Sequence, residues 1–364
     1  KVNIYNPAGE TIQKIIVKNL TSQIISQSYS SGKSEVILEL TNPIQCVSEY
    51  PILSLTTKGA YNIEYTREYE EGERNIELEL YNEIYTIDDW YQMKKTPNQN
   101  YRLMNDLDFK NADASLYSNI AFKGILDGQG YTIKNFYITS KISTPLFSSC
   151  NNSTIINLNI KNYNIESSST TIAICATGNY LNMRNVNIDT VNIDTMYSQT
   201  VGGVLGNVSN GKFDNITLNN IDIYARNSNT LKIGGFIAGG NADINNCYIN
   251  KLNIVAKDNM QTTGIGGLIG EANNSVYTIN NTILSGNISS DSGYIGGVVG
   301  YGTIEVKDCL SNINLIANGD YVGGIIGYET SSQGNNKNNL YNGNIVNKKE
   351  TEYISGISGN KKDG

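Results

Sequence analysis

The sequence predicts an all-β chain: a parallel β-helix, or β-solenoid, of about eight coils preceded by a small antiparallel β-domain. Three observations carry that prediction. A glycine-rich peptide returns at a near-constant interval, as "VGGVLG" at 201, "IGGFIAG" at 233, "IGGLIG" at 265, "IGGVVG" at 295 and "VGGIIG" at 322. The 364 residues include 35 Gly and 25 Tyr against only 5 Pro, with abundant Asn and Ile, which suits short strands joined by many turns. Between the glycine-rich peptides apolar residues alternate at period two, without a helical period.

In chain order, residues 1–82 alternate apolar and polar residues between turn signals, as in "TIQKIIVKN", "EVILELT" and "NIELELYN", and read as a small antiparallel, sandwich-like β-domain. The charged run "REYEEGER" (67–74) contains Gly72 and lies between two such runs, so it reads as a solvated hairpin tip rather than a catalytic carboxylate pair. Residues 83–121 form a junction. Within it Thr86 can cap a short helix "IDDWYQMKK", with Asp88 and Asp89 at its positive end and Lys94 and Lys95 at its negative end. Such a helix would cover an exposed sheet end. Asp106 and Asp108 could be drawn as metal ligands, but a cation needs further oxygens that the sequence does not place, and they read as turn and solvent-face residues. In "FKGILDGQGYTIKNFYI" (122–138) the Asp127-Gly128 and Gln129-Gly130 pairs supply a tight turn between strands.

Residues 122–364 are the repeat array. Aligned on the first glycine, the units fall at Gly202, Gly234, Gly266, Gly296 and Gly323, with Ser355 in that place in "ISGISG"; the spacings are 32, 32, 30, 27 and 32. Degenerate copies at Ile172 ("IAICAT") and Ser143 ("STPLFS") extend the series backwards to eight units. A period near 30 with several strand-like runs per unit signals stacked β-coils. The residue before the first glycine and the residue two after it are apolar in every unit, and the intervening Gly-Gly would turn both inward at a corner. A nucleotide-binding glycine loop would occur once and open a helix, so that reading fails on context. The second half of each unit alternates Ile or Leu with Asn, placing the apolar residues inside and Asn at turns or on the outer face. Cys247 and Cys309 fall 13 residues after their motif glycine, with Ile279 at that place in the unit between, and read as inward ladder residues two coils apart.

Composition excludes several functions. There is no histidine, which removes Ser/His/Asp and Cys/His catalysis, His-ligated zinc and H-E-x-x-H from these residues. Five scattered cysteines without C-x-x-C spacing do not make a disulfide framework. A net charge of −7 without a basic run argues against nucleic acid as a partner, and no apolar run is long enough for membrane insertion. No catalytic residue, metal site or cofactor is expected. The chain opens on Lys, as a mature protein or an excised piece would.

The recurrent "GG-apolar-apolar-G" units resemble the GLUG repeat, and the lead-in "YTIDDWYQM…NYRLMNDLDF…FKGILDGQGYTIKN" is similar to the entry into such arrays in large bacterial surface and secreted proteins. Among these are the N-terminal regions of IgA1-specific zinc metalloproteases. The resemblance covers about residues 83–360 and implies a right-handed β-helix placed outside a Gram-positive cell. The proteases' H-E-x-x-H has no counterpart here, so a noncatalytic portion is implied.

One side-chain pattern stands out on this scaffold. Tyr294, Tyr321 and Tyr353 lie two residues before the motif glycine in the last three units, where earlier units carry Thr200, Lys232 and Gly264; Tyr301 and Tyr328 lie five after it. With the preceding apolar residue inward, the first three should form an exposed ladder. The direction of the other two is not set by the sequence. These five are the candidate ligand-binding residues, for a host glycan or protein, although cross-strand tyrosines also stabilise sheets without binding anything. The function expected is noncatalytic adhesion, spacing or substrate recognition in a surface or secreted protein. A bacteriophage tail protein binding a bacterial cell-surface receptor is the alternative, and a carbohydrate-active enzyme with paired Asp/Glu a third, which the scarcity of acids on outer positions disfavours.

Overall fold

A computed structural model describes residues 81–361 apart from 141–144, 169–170, 227–230, 258–261, 292, 332–335 and 350–352, and before residue 81 the backbone of the strands only. The chain divides into two compact units: Lys1–Ile84 with Asn98–Leu103, and Tyr85–Pro97 with Met104–Gly364. In the first, Asn62–Tyr69 and Gly72–Glu79 pair antiparallel up to Tyr69 opposite Gly72, so most of the 67–74 run expected at a tip lies in paired strands, and residues 70–71 lie outside the described ones. Lys14–Lys18 adds to the other edge of Asn62–Tyr69, and Val2–Ile4 pairs with Leu53–Leu55.

The second unit begins with helix α1, Ile87–Lys95, over the residues the sequence assigns to it. Thr86 accepts from the Asp89 amide while the Asp89 carboxylate accepts from the Thr86 amide, a reciprocal cap that satisfies two of the orphan donors of the first turn. Its inner face buries Trp90 and Met93 completely. The indole packs on Phe109 and Phe147, 6.2 and 5.9 Å between centroids, and donates to the Tyr117 carbonyl at the end of a one-turn helix α2, Ala114–Tyr117. Asp106 and Asp108 accept from the Thr132 amide and from Asn135 and the Lys110 amide respectively. Both are thus committed to fastening the first two coils.

The rest is a parallel β-solenoid. Leu107–Asp108, inside the span read as junction, already pairs in register with Ile133–Lys134. From there one interior position runs through Leu107, Ile133, Ile160, Ile188, Leu218, Ile249 and Leu284, each at most 4% exposed. Period-two alternation produces this directly: one face of every strand stacks in the core and the other meets solvent. The ladder then turns polar at Ser311 and Tyr341. The Ser311 hydroxyl is fully buried and has no hydrogen-bond partner among the described residues. Ser311→Ala removes a desolvated, unanswered hydroxyl, and an increase in stability of about 1 kcal/mol is expected in urea unfolding; a loss would show that the hydroxyl is satisfied.

Asparagine makes the corners. Asn157, Asn185, Asn215, Asn246, Asn281 and Asn338 all adopt φ between 48° and 55°, the left-handed region that Asn tolerates better than other non-glycine residues. Their side chains also bond from coil to coil: Asn185 donates to Asn157 (3.1 Å), Asn215 to Asn185 (2.9 Å) and Asn281 to Asn246 (2.7 Å). Asn192 to Asn164 and Asn314 to Asn287 do the same on an outer face.

The glycine-rich corners form their own seven-stranded parallel sheet, from Thr171–Ile172 to Ile354–Ser355. The leading residues 143–144 of the most degenerate copy lie outside the described residues, while its Phe147 is in register with Cys175. The apolar residue before the first glycine and the one two after it are both buried from Val201 and Val204 to Val322 and Ile325, as expected, whereas in the last unit Ile354 and Ile357 are exposed. The reason for the glycines differs from a bend that only glycine dihedrals permit: none of Gly202, Gly203, Gly234, Gly235, Gly266, Gly267, Gly296 or Gly297 has a positive φ. The need is close approach. A Cβ on the first glycine would collide with the carbonyl three residues on (Gly296 with Val299), one on the second with the same glycine's carbonyl in the next coil (Gly267 with Gly297), and one on the third with the backbone of the preceding coil's apolar residue (Gly300 with Ile265).

The cysteine ladder needs one correction. Tyr248, Ile283 and Leu310 stand in register, so Thr282, not Ile279, lies between Cys247 and Cys309. Ile279 instead pairs with Ile244 and Val306, because irregular register between Gly240 and Ile244 and between Asn273 and Thr278 absorbs extra residues. Cys150, Cys175, Cys247 and Cys309 are free and buried, and burial pushes the Cys247 and Cys309 thiols up to about 12 and about 11.

Candidate recognition surface

Each corner presents two outward positions, one before the glycines and one after. Because the third glycine lies on the backbone of the preceding coil, the residue following it stands beside the outward residue of that coil. Glu271 thus meets Lys232 in a 3.0 Å ion pair, Tyr301 lies over Gly264, and Tyr328 meets Tyr294 with centroids 5.0 Å apart. The two columns run Lys232, Gly264, Tyr294, Tyr321, Tyr353 and Gly239, Glu271, Tyr301, Tyr328, Asn360.

All five tyrosines singled out in the sequence are brought together by this offset. Tyr321 stacks on Tyr353 (4.6 Å, 23°) and Tyr301 on Tyr328 (5.5 Å, 9°), while Tyr321 meets Tyr328 edge-on at 4.8 Å and Tyr294 contacts Tyr301, Tyr321 and Tyr328. Tyr301 and Tyr328, whose direction the sequence left open, share the face of the other three. In the two stacked pairs the ring faces are turned toward one another. Tyr353 is the most open, at 42% exposure; the other four are half-buried. Burial, and after it the neighbouring phenols, raises the pKa of Tyr294, Tyr301 and Tyr321, so the surface keeps its hydroxyl donors. Asp320, paired with Lys349, borders it on one side and the Lys232–Glu271 pair on another. Sequence reasoning missed these flanking pairs; reading the position before the glycines against the position after them one unit later would have found Lys232 and Glu271.

Among the described residues no cluster of three or more His, Cys, Asp or Glu side chains could hold a metal ion, and no helix is long and apolar enough to cross a membrane. Fold and surface together define a repeat scaffold of the β-solenoid class that offers a side-chain strip across several coils. Residues 82–195, under a third of the 364, match the family model of the M26 IgA1-specific metallo-endopeptidase N-terminal region. That segment holds α1, α2 and the first coils, and the match bears out the resemblance drawn from "YTIDDWYQM" and the residues after it; the tyrosine surface lies beyond it. Comparison with curated proteins finds no match.

Proposed function

We propose that the chain is a noncatalytic recognition and spacer region of a secreted or surface-attached protein of a Gram-positive bacterium, positioned N-terminal to an IgA1-protease-like zinc metalloprotease, and that the five-tyrosine surface contacts a protein partner. The observation that carries this reading is the gathering of Tyr294, Tyr301, Tyr321, Tyr328 and Tyr353 on one face. Tyrosine held rigidly by its neighbours supplies contact area at low entropic cost, which is how protein-binding surfaces use it. Ring faces already engaged with each other favour a protein over a sugar, whose stacking needs a free face. The matched family segment and the lack of any histidine support a supporting role beside catalytic machinery.

The experiment is surface plasmon resonance with immobilised IgA1. Binding is expected, weakened tenfold or more by Tyr321→Ala and little by Tyr321→Phe, because Tyr321 touches three of the other rings. Absence of binding, or equal binding by Tyr321→Ala, sinks the assignment; capture of free glycans through this face would transfer it to sugar recognition.

A further inference from the structure

A second feature lies on the earlier coils, away from the tyrosines. One outward position runs in register through Thr139, Glu166, Asp194 and Tyr224, then Val255, Ser289 and Ile316. Its only acids are Glu166 and Asp194, side by side on adjacent parallel strands about 4.8 Å apart. Like charges so placed destabilise a sheet, and breaches of a local rule concentrate where a protein binds or reacts.

The two carboxylates are held differently. Asp194 pairs with the Arg226 guanidinium, which reaches back one coil and rests 4.7 Å from the Tyr224 ring centre. Glu166 accepts from the Tyr137 hydroxyl at 3.2 Å and makes no ion pair with a described lysine or arginine. Around them the surface dips into a shallow, open cleft of about 460 Å³, lined by Glu166, Asp194 and Arg226 with Thr139, Ser168 and Met196, and with the buried Thr195 at its base. Thr195 is 1% exposed and its hydroxyl donates to the Ser167 carbonyl, so the floor is fixed.

We propose that this cleft binds a saccharide, as an uncharged hexose or N-acetylhexosamine unit. Carboxylates in register accept from neighbouring ring hydroxyls, the guanidinium donates to a sugar oxygen, and Met196 offers an apolar patch to the ring's C–H face. One guanidinium against two carboxylates leaves the cleft negative, which disfavours sialic and uronic acids. The site is independent of the protein contact assigned to the tyrosine surface.

Saturation-transfer NMR with lactose, N,N′-diacetylchitobiose and sialyllactose on the 364-residue chain tests it. Transfer to lactose or N,N′-diacetylchitobiose is expected, reduced at least fivefold in Glu166→Gln and in Asp194→Asn, abolished by Ser168→Trp, whose indole would occupy the cleft from an exposed position, and unchanged in Tyr321→Ala. Lack of transfer to both neutral sugars, or equal transfer in wild type and Ser168→Trp, overturns the proposal. Loss in Tyr321→Ala instead would place sugar binding on the other surface and equally overturn it.

Discussion

Gly296→Ala is expected to cost at least about 3 kcal/mol, although alanine is the smallest substitution available. Gly296 has an ordinary backbone conformation, so alanine meets no dihedral penalty there; the loss is steric. Its added methyl would stand against the Val299 carbonyl within the same corner and the Gly327 amide of the next coil, and neither can yield without breaking the stack. The control is Gly239→Ala. There the nearest obstacle is the flexible Lys232 side chain, with Cδ 3.1 Å away, and a change within about 0.5 kcal/mol is expected. Because coils unfold in part, hydrogen exchange over the corner strands is the sharper readout than a single melting temperature. Wild-type protection around 294–304 in Gly296→Ala would show that the corners need glycine for some other reason.

Trp90→Ala should cost a comparable amount, about 3–5 kcal/mol, but at a different place. The indole is wholly buried, touches Phe109 and Phe147, and donates to the Tyr117 carbonyl, so its removal opens a cavity and leaves α1 without its principal anchor. In a solenoid each coil is supported by its neighbours only. Deprotection is therefore expected over α1, α2 and the strands near 107–109 and 147–151, with the corners beyond Gly202 retaining theirs. Trp90→Phe, which keeps part of the ring contact and loses the N–H, should fall between. Uniform loss of protection along the whole chain, or none, would refute the view of α1 as a local cap.

The regular part of this structure was readable because its physics is periodic. One unit of "IGG" with flanking apolar residues predicts every other unit, and α1 carried Thr86, Asp89 and Lys94 at positions where capping chemistry has few alternatives. What the sequence obscured lies between units. The Cys247 alignment slipped because extra residues around 274–277 are absorbed within one coil, and counting from glycine cannot see where a bulge sits. The five tyrosines were recognised, yet the one-coil offset that joins Tyr328 to Tyr294 depends on which backbone the third glycine lies upon. Glu166, Asp194 and Arg226 are 28 and 32 residues apart and share no motif; only the register makes them a cleft.

The asparagine columns have an electrical sense. In each bonded pair the amide N–H belongs to the later coil and the acceptor to the earlier, so the side-chain dipoles point one way along the stack, positive end toward the chain's beginning. Several runs stop, at that end, on a carboxylate: Asn162 donates to Asn135 and Asn135 to Asp108, Asn157 donates to Asp127, Asn246 to Asp214, and Asn253 to Asp222. Asp108 is held below the usual carboxylate range chiefly by its Asn135 partner. An aspartate in such a column acts as the anion at the head of a row of aligned amides, much as an acid does at a helix N-terminus, and gives an otherwise repetitive stack a fixed direction of charge.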